Sequence, residues 1–344
     1  MRKRKPVPKR KRHQGGVLLA LLLSVSMMGS LAFFAVSPSA NVHNVTLPGD
    51  TVSTYINNKA GEILEKVTGI ENARVLPYDF SVPEKAPDPG NYYTEQGMSC
   101  YKDSTIMVKC WSEPYKNSNT GVESTAYYAD VMIKHPSQFR RQWAHGDYNA
   151  RGYQYPSNMF VSSNGVVGMS ADFHKFRNFG IVIQYGTVIC NRRGSSQLDV
   201  LTVDYEGNFH IWNDAELRKR IDEKGADDIM LSFTFGPALV EDGKALPTDH
   251  WDGQILGELH QTVARAAIGQ LGERHYLFCT LYRPGLTCRQ MADLMASKGC
   301  VTAYNLDGGQ TGTLLFDGKV YSRIAYKGVE RPMSDIMYFA SAES

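Results

Sequence analysis

The stretch TCRQMADLMASKGCVTAYNLDGGQTGTLLFDGKVYS, residues 287–322, carries a helix, a strand and a turn in the order that decides the fold. Thr287 is followed three residues later by Gln290, the spacing of a capping box, and Gly299 suits the left-handed position that ends a helix. Between them Met291, Leu294 and Met295 fall on one helical stripe, which predicts core packing rather than a cofactor site. CVTAYNL (300–306) then reads as a buried strand running directly into Asp307, Gly308 and Gly309. A strand-end acid beside two glycines is where a sheet presents chemistry to a cleft. Without a Cβ, Gly308 and Gly309 permit positive φ and let an anion approach backbone N–H groups. The competing reading is a tight turn or bulge that reverses the chain before TGTLLFDGKV. Gly318, after Asp317, reads more simply as a hairpin turn.

Outward from this segment, short β-rich runs separated by Gly, Asp and Asn continue back to about residue 100. AYYADVMI reads as a strand, LDVLTVDYEGNFHIW as a hairpin turning at Glu206-Gly207-Asn208, and LSFTFGPALVEDGKAL as another turning at Asp242-Gly243. No fixed-period repeat is present, which argues against propellers and solenoids. The expected class is α+β: a mixed, largely antiparallel β-sheet core with packed helices, preceded by one N-terminal transmembrane helix.

That helix is read from Gly16 to Val36, which holds no charged residue and as a helix would span about 30 Å, one hydrocarbon core. Eight lysines and arginines between Arg2 and Arg12 precede it, placing residues 1–15 in the cytoplasm and the remainder outside the membrane. An uncleaved anchor is favoured over a signal peptide because the apolar run exceeds the usual h-region. Removing those eight charges from the formal +2 leaves −6, which argues against a nucleic-acid-binding body. Residues 37–99, with prolines clustered from Pro77 to Pro89 and a short helix near VSTYINNKAGEILEKVTG, read as a stalk, and Asn44 opens a glycosylation triplet. Residues 100–344 form the expected domain. Six cysteines lie in the exported part without CxxC spacing; Cys100 and Cys110 are the best disulfide pair, with buried thiols the equal alternative.

Three segments hold candidate chemistry. Asp307 with Gly308 and Gly309 is one; Arg265 in ARAAIGQ, able to grip phosphate or carboxylate, is the second; Asp172 and His174 in VVGMSADFHKF, at the end of an apolar strand, are the third. His174 and His260 are candidate proton carriers, against the commoner role of a lone histidine as a structural residue. Arg331 and Asp335 read as a structural ion pair.

In order along the chain, Asp172 with Phe173, Gly236-Pro237 with Leu239 and Val240, Arg265 with Ile268 and Gly269, Gly285 to Thr287, Gly299-Cys300 with Ala303, Asn305 to Gly309 with Thr311, and Arg331 with Ser334 and Asp335 resemble the phosphodiester glycosidase domain family. The resemblance covers most of residues 125–340. Ser170 and Ala171 stand where that family usually has Asn and Gly, and Thr311 where it usually has Ser. The resemblance implies hydrolysis of a sugar 1-phosphodiester, with Asp307, Asp172 and Arg265 as catalytic residues and Gly308, Gly309, Thr311, Asn305 and His174 around the substrate. A phosphodiester already leaves well, so the demand falls on cations and N–H donors for the phosphate and on a carboxylate for an oxocarbenium-like centre. No cofactor is implied; a divalent cation beside the two aspartates stays open, though no His/Asp spacing names a metal. The implied partner is a phosphorylated glycan or cell-envelope polysaccharide, with the membrane reached through one N-terminal helix and no nucleic acid. The alternatives are a catalytically weak or inactive carbohydrate-binding protein of the same fold, suggested by Ser170-Ala171, and a polysaccharide-assembly scaffold.

Overall fold

The computed structural model describes residues 80, 83, 85–172, 174–176, 179–192, 198–252, 254, 259–324 and 327–343. The basic tail, the apolar run 16–36, Asn44 and most of the stalk lie outside the described residues. Among the described residues no helix is long and apolar enough to cross a membrane.

Three sheets and three α-helices account for the regular structure among the described residues. Every strand pair is antiparallel, so the mixed sheet expected from sequence resolves into hairpins and antiparallel neighbours. The helices are therefore not crossovers between parallel strands, and each packs on one sheet. The nine-stranded sheet runs in the order Tyr92–Glu95, Met98–Lys102, Ile106–Lys116, Glu123–Ile133, His275–Leu286, Val263–Gly272, Thr302–Leu306, Ala238–Glu241 and Lys244–Ala245. Its first hairpin begins at Tyr92, ahead of the boundary drawn at residue 100, and residues through Lys102 join the sheet through pairs such as Tyr101↔Val108.

A second sheet takes Phe209–Asn213, Asp199–Asp204, Ile229–Phe233, Gly180–Gln184 and Thr187–Arg192 in that order. The third takes Lys319–Val320, Leu314–Phe316, Gly165–Ser170, Asp335–Ala340 and Phe139–Trp143. The three meet at an aromatic cluster: Phe139 stacks on Phe339 at 4.7 Å, lies 5.6 Å from Tyr276 of the first sheet, and 6.2 Å from both Phe209 and Phe233 of the second. Rings of this size bury the most apolar area per residue, and their offset and tilted contacts fix the angles between layers.

The helix read from residues 287–299 is Cys288–Ser297, with the Thr287/Gln290 capping box formed and Gly299 at φ +88° beyond its end. Met291 and Met295 are fully buried on the nine-stranded sheet and Leu294 packs at the margin of the same cluster. Both short turns read from sequence also form. Asp242 and Gly243 have φ of 49° and 73°, and Asp317 and Gly318 of 53° and 69°, which is the handedness a two-residue hairpin turn needs. LSFTF, however, belongs to the second sheet, so the hairpin there is Ala238–Glu241 with Lys244–Ala245 alone.

The Cys100–Cys110 disulfide does not form: both thiols are free. The register is Cys100↔Lys109 and Ser99↔Cys110, and because side chains alternate along a strand the two sulfurs face opposite sides of the hairpin. Loss of the capping box by Thr287→Ala is expected to destabilise the domain by about 1 kcal/mol, read as a drop in Tm of about 2–4 °C.

Candidate active site

The strand Thr302–Leu306 pairs with Val263–Gly272 in the register Ala266↔Leu306 and Ala267↔Asn305. Continued by one residue, that register sets Arg265 beside Asp307. Asn305 and Asp307, two residues apart, share a face of the strand. Farther along, the same face is covered by the helix Cys288–Ser297; past the helix it opens into a cleft of about 480 Å³. Phe235, Arg265, Arg283, Asn305, Asp307 and Arg331 contribute to its wall, and Gly308 and Gly309 to its floor. Three arginines around one carboxylate make a site suited to an anion with a reacting centre next to it.

The two glycines differ in their reasons. A Cβ on Gly308 would lie 2.7 Å from Arg265 Cα and 2.8 Å from the Ala264 carbonyl oxygen, so glycine is required by the backbone of the neighbouring strand. Gly309 has open space around it and a φ of +59°, so glycine is favoured there by handedness. Its N–H donates to the Ala264 carbonyl at 2.7 Å. The Thr311 hydroxyl and amide both turn back to the Gly308 carbonyl, making Thr311 a buried turn residue. The Gly309 amide and the Thr311 hydroxyl are thus engaged within the turn itself.

Arg265 is also largely engaged. Its Nε donates to the Leu286 carbonyl at 2.8 Å, and Nη2 to the carbonyls of Gln261 at 3.1 Å and Leu259 at 3.3 Å. It lines the cleft while fastening two backbone segments, the loop at 259–261 and the strand end at Leu286. Arg331, expected to pair with Asp335, instead stands in the cleft with the exposed Arg283.

Asp172 lies behind the cleft. Asp307 N–H donates to the Ala171 carbonyl at 3.1 Å and Ser170 Oγ donates to the Asp307 carbonyl at 2.8 Å, so residues 170–171 hold the strand end that carries the acid. Asp172 Oδ2 accepts from the Thr234 amide at 2.8 Å, next to Phe235 of the wall, and sits 3.6 Å from Arg141 Nη2. Arg141 donates from Nε to Asp335 Oδ2 at 2.8 Å and from Nη1 to the Ser232 carbonyl at 2.9 Å, and its Nη2 lies 2.6 Å from Asp335 Oδ2 in an ion pair. His174 completes this buried group, with Nδ1 3.3 Å from Asp335 Oδ1 and its ring stacked on Tyr148. His260 is exposed and outside it. Burial alone would raise the Asp335 pKa, but Arg141 and His174 reverse this and hold it at about 2.

Arg141 and Asp335 are the partners that sequence reasoning missed. The available signal was FRRQW (139–143), two arginines inside a strand bounded by Phe139 and Trp143, a position that buried charge occupies only when paired. A second hollow of about 350 Å³ at the sheet edge, near Trp111, has its charges already matched, Lys109 with Glu95 and Asp130 with His275.

The family model for phosphodiester glycosidase matches residues 161–340. The chain belongs to that family. Among solved structures it is similar to the zebrafish N-acetylglucosamine-1-phosphodiester α-N-acetylglucosaminidase catalytic domain auto-inhibited by its pro-peptide, at 13% identity over 70% of this chain and 85% of that one, with a TM-score of 0.58. At that identity the likeness is one of fold. A hypothetical protein from Synechocystis aligns at 12% identity over 70% of this chain and 63% of its own, with a TM-score of 0.48. Among curated proteins, an uncharacterized SPbeta prophage-derived protein of Bacillus subtilis, YomE, is 30% identical over 138 residues, 38% of this chain. The match spans 20% of that protein's length. The matched family region begins at Val161 and so contains Asp172, Arg265, Asp307 and Asp335, whereas Arg141 lies before it.

The buried ion pair of this domain sets an acid limit. Because the folded pKa of Asp335 lies below its unfolded value of about 3.9, its stabilisation is present above about pH 4 and fades as pH falls towards 2. Asp335→Asn leaves the Arg141 guanidinium with only the more distant Asp172 carboxylate and is expected to cost about 3–5 kcal/mol at pH 7. Thermal unfolding from pH 5 to 2 should show a shallower loss of stability in the variant than in the parent.

Proposed function

We propose that the cleft hydrolyses a glycosyl phosphodiester at the anomeric carbon: the bond from that carbon to the phosphate oxygen breaks, water supplies the new hydroxyl, and free sugar and a phosphomonoester leave. The observation that carries this reading is Asp307 at a strand end inside a cleft also lined by Arg265, Arg283 and Arg331. Family membership supports it, and the zebrafish relative of the same fold carries an N-acetylglucosamine-1-phosphodiester substrate in its name.

In this reading Arg331 and Arg283 hold the departing phosphate, since Arg265 donates to three carbonyls and acts mainly by fixing the wall. Asp307 supports the oxocarbenium-like centre or activates water. Asp172 positions: it anchors the Thr234 amide beside Phe235, and its neighbour Ala171 holds Asp307. The substrate is a phosphorylated glycan or cell-envelope polymer. The domain works outside the cell membrane, tethered by the apolar run 16–36 behind its basic tail.

A second reading, a binder without turnover, draws support from the engagement of Arg265 and from Ser170, whose hydroxyl is occupied by the Asp307 carbonyl instead of facing a ligand. Release of free sugar from a glycosyl phosphodiester separates the two. Asp307→Asn is expected to lower kcat/KM by at least about a hundredfold with Tm unchanged. Arg283→Ala and Arg331→Ala should each lower it by about tenfold to a hundredfold, the range for hydrogen bonds to charged groups. Wild-type rates in Asp307→Asn would overturn the hydrolytic assignment, and ligand retention without sugar release by the parent chain would establish the binder.

A further inference from the structure

Asn305 is 1% exposed and contributes to the cleft wall, and its Oδ1 is buried with no hydrogen-bond donor, while its Nδ2 donates to the Gly236 carbonyl at 2.8 Å. A buried carbonyl-type oxygen with no donor is costly in a folded protein and is rarely left so without a purpose. The simplest relief, a flip of the amide, is closed. It would turn Oδ1 onto the Gly236 carbonyl, acceptor against acceptor.

Nor can Gly236 move aside. Asn305 N–H donates to the Pro237 carbonyl at 2.9 Å, and the next amide, Ala238, donates to Asp199 Oδ2 at 2.9 Å. Tyr304 OH donates to the Asp199 carbonyl at 2.8 Å, and a Cβ on Gly236 would stand 3.3 Å from both that carbonyl oxygen and the Tyr304 hydroxyl. The segment that receives Nδ2 is thus held on both sides, and the orientation of the Asn305 amide follows from it.

We infer that Asn305 Oδ1 is a specificity-determining acceptor for one hydroxyl group of the sugar, on the same strand face as Asp307. The inference rests on the proposed glycosyl-phosphate reading of the cleft and deepens it. The arginines recognise the phosphate common to every such substrate, whereas Asn305 distinguishes among the sugars attached. A wall built to accept a hydrogen bond rejects a ligand lacking the donor, because the acceptor then stays buried and unpaired.

The test is calorimetric binding of the full chain to α-glucose 1-phosphate, to its 2-, 3-, 4- and 6-deoxy forms, and to inorganic phosphate, repeated with Asn305→Ala. One deoxy form is expected to bind the parent chain about tenfold to a hundredfold more weakly than glucose 1-phosphate, the range for a buried group losing its partner. Asn305→Ala should bind glucose 1-phosphate more weakly by a similar factor, no longer distinguish that deoxy form, and keep its affinity for inorganic phosphate. If all four deoxy forms bind the parent chain within about twofold of glucose 1-phosphate, on the standard affinity scale, the inference falls even if the variant does not fold. It falls equally if a folded Asn305→Ala retains the parent pattern. Failure of the parent chain to bind either glucose 1-phosphate or inorganic phosphate would overturn the reading of the cleft itself.

Discussion

One buried guanidinium governs the geometry of this domain. The Arg141 side chain has no solvent exposure and is tied to Asp335 of the adjacent strand, to the Ser232 carbonyl of the second sheet, and to the neighbourhood of Asp172. Trp143 lies flat beneath it, with the guanidinium carbon 3.9 Å from the ring centroid. Removing such a charge from water is expensive, and only a complete set of anions, carbonyls and π-density makes the site tolerable. Few arrangements of the two five-stranded sheets would supply that set. Arg141 therefore acts as a register pin between them, and through Asp172 and Ala171 its influence reaches the backbone that holds Asp307.

The cleft then follows from where strands stop. Thr302–Leu306 ends at the junction with Gly165–Ser170, and the Asp307 amide and carbonyl are satisfied by residues 170–171 of the third sheet. An acid is thereby placed at a sheet end on a peptide group that cannot rotate. Replacement of the family's usual Asn-Gly by Ser170-Ala171 leaves this junction intact, since the contacts used are a hydroxyl and a main-chain carbonyl.

Much of this architecture was legible in the sequence where the cause is local. The capping box at Thr287, the methionine stripe, and the turns at Asp242-Gly243 and Asp317-Gly318 each depend on neighbouring residues and form as read. So does the pairing of Arg265 with Asp307 in one cleft, foreshadowed by family order. What could not be read were partnerships fixed across the chain. Arg141 meets Asp335 from 194 positions away, Arg331 enters the cleft instead of pairing with Asp335, and Arg265 is occupied by carbonyls whose positions only the folded loops determine. Cys100 and Cys110 misled for the opposite reason: nearness in sequence suggested a bond that strand alternation forbids.

The double glycine of the cleft floor hides two different constraints under one letter. Gly308 answers to volume, because any side chain there collides with main-chain atoms of the next strand. Gly309 answers to handedness, with room for a side chain but a backbone turned to the left. Residues at ease in that conformation, asparagine and aspartate above all, fit the second position and fail at the first. The motif can therefore drift on one side only, and a lineage that changes Gly309 acquires a new functional group on the cleft floor without disturbing the scaffold that supports it.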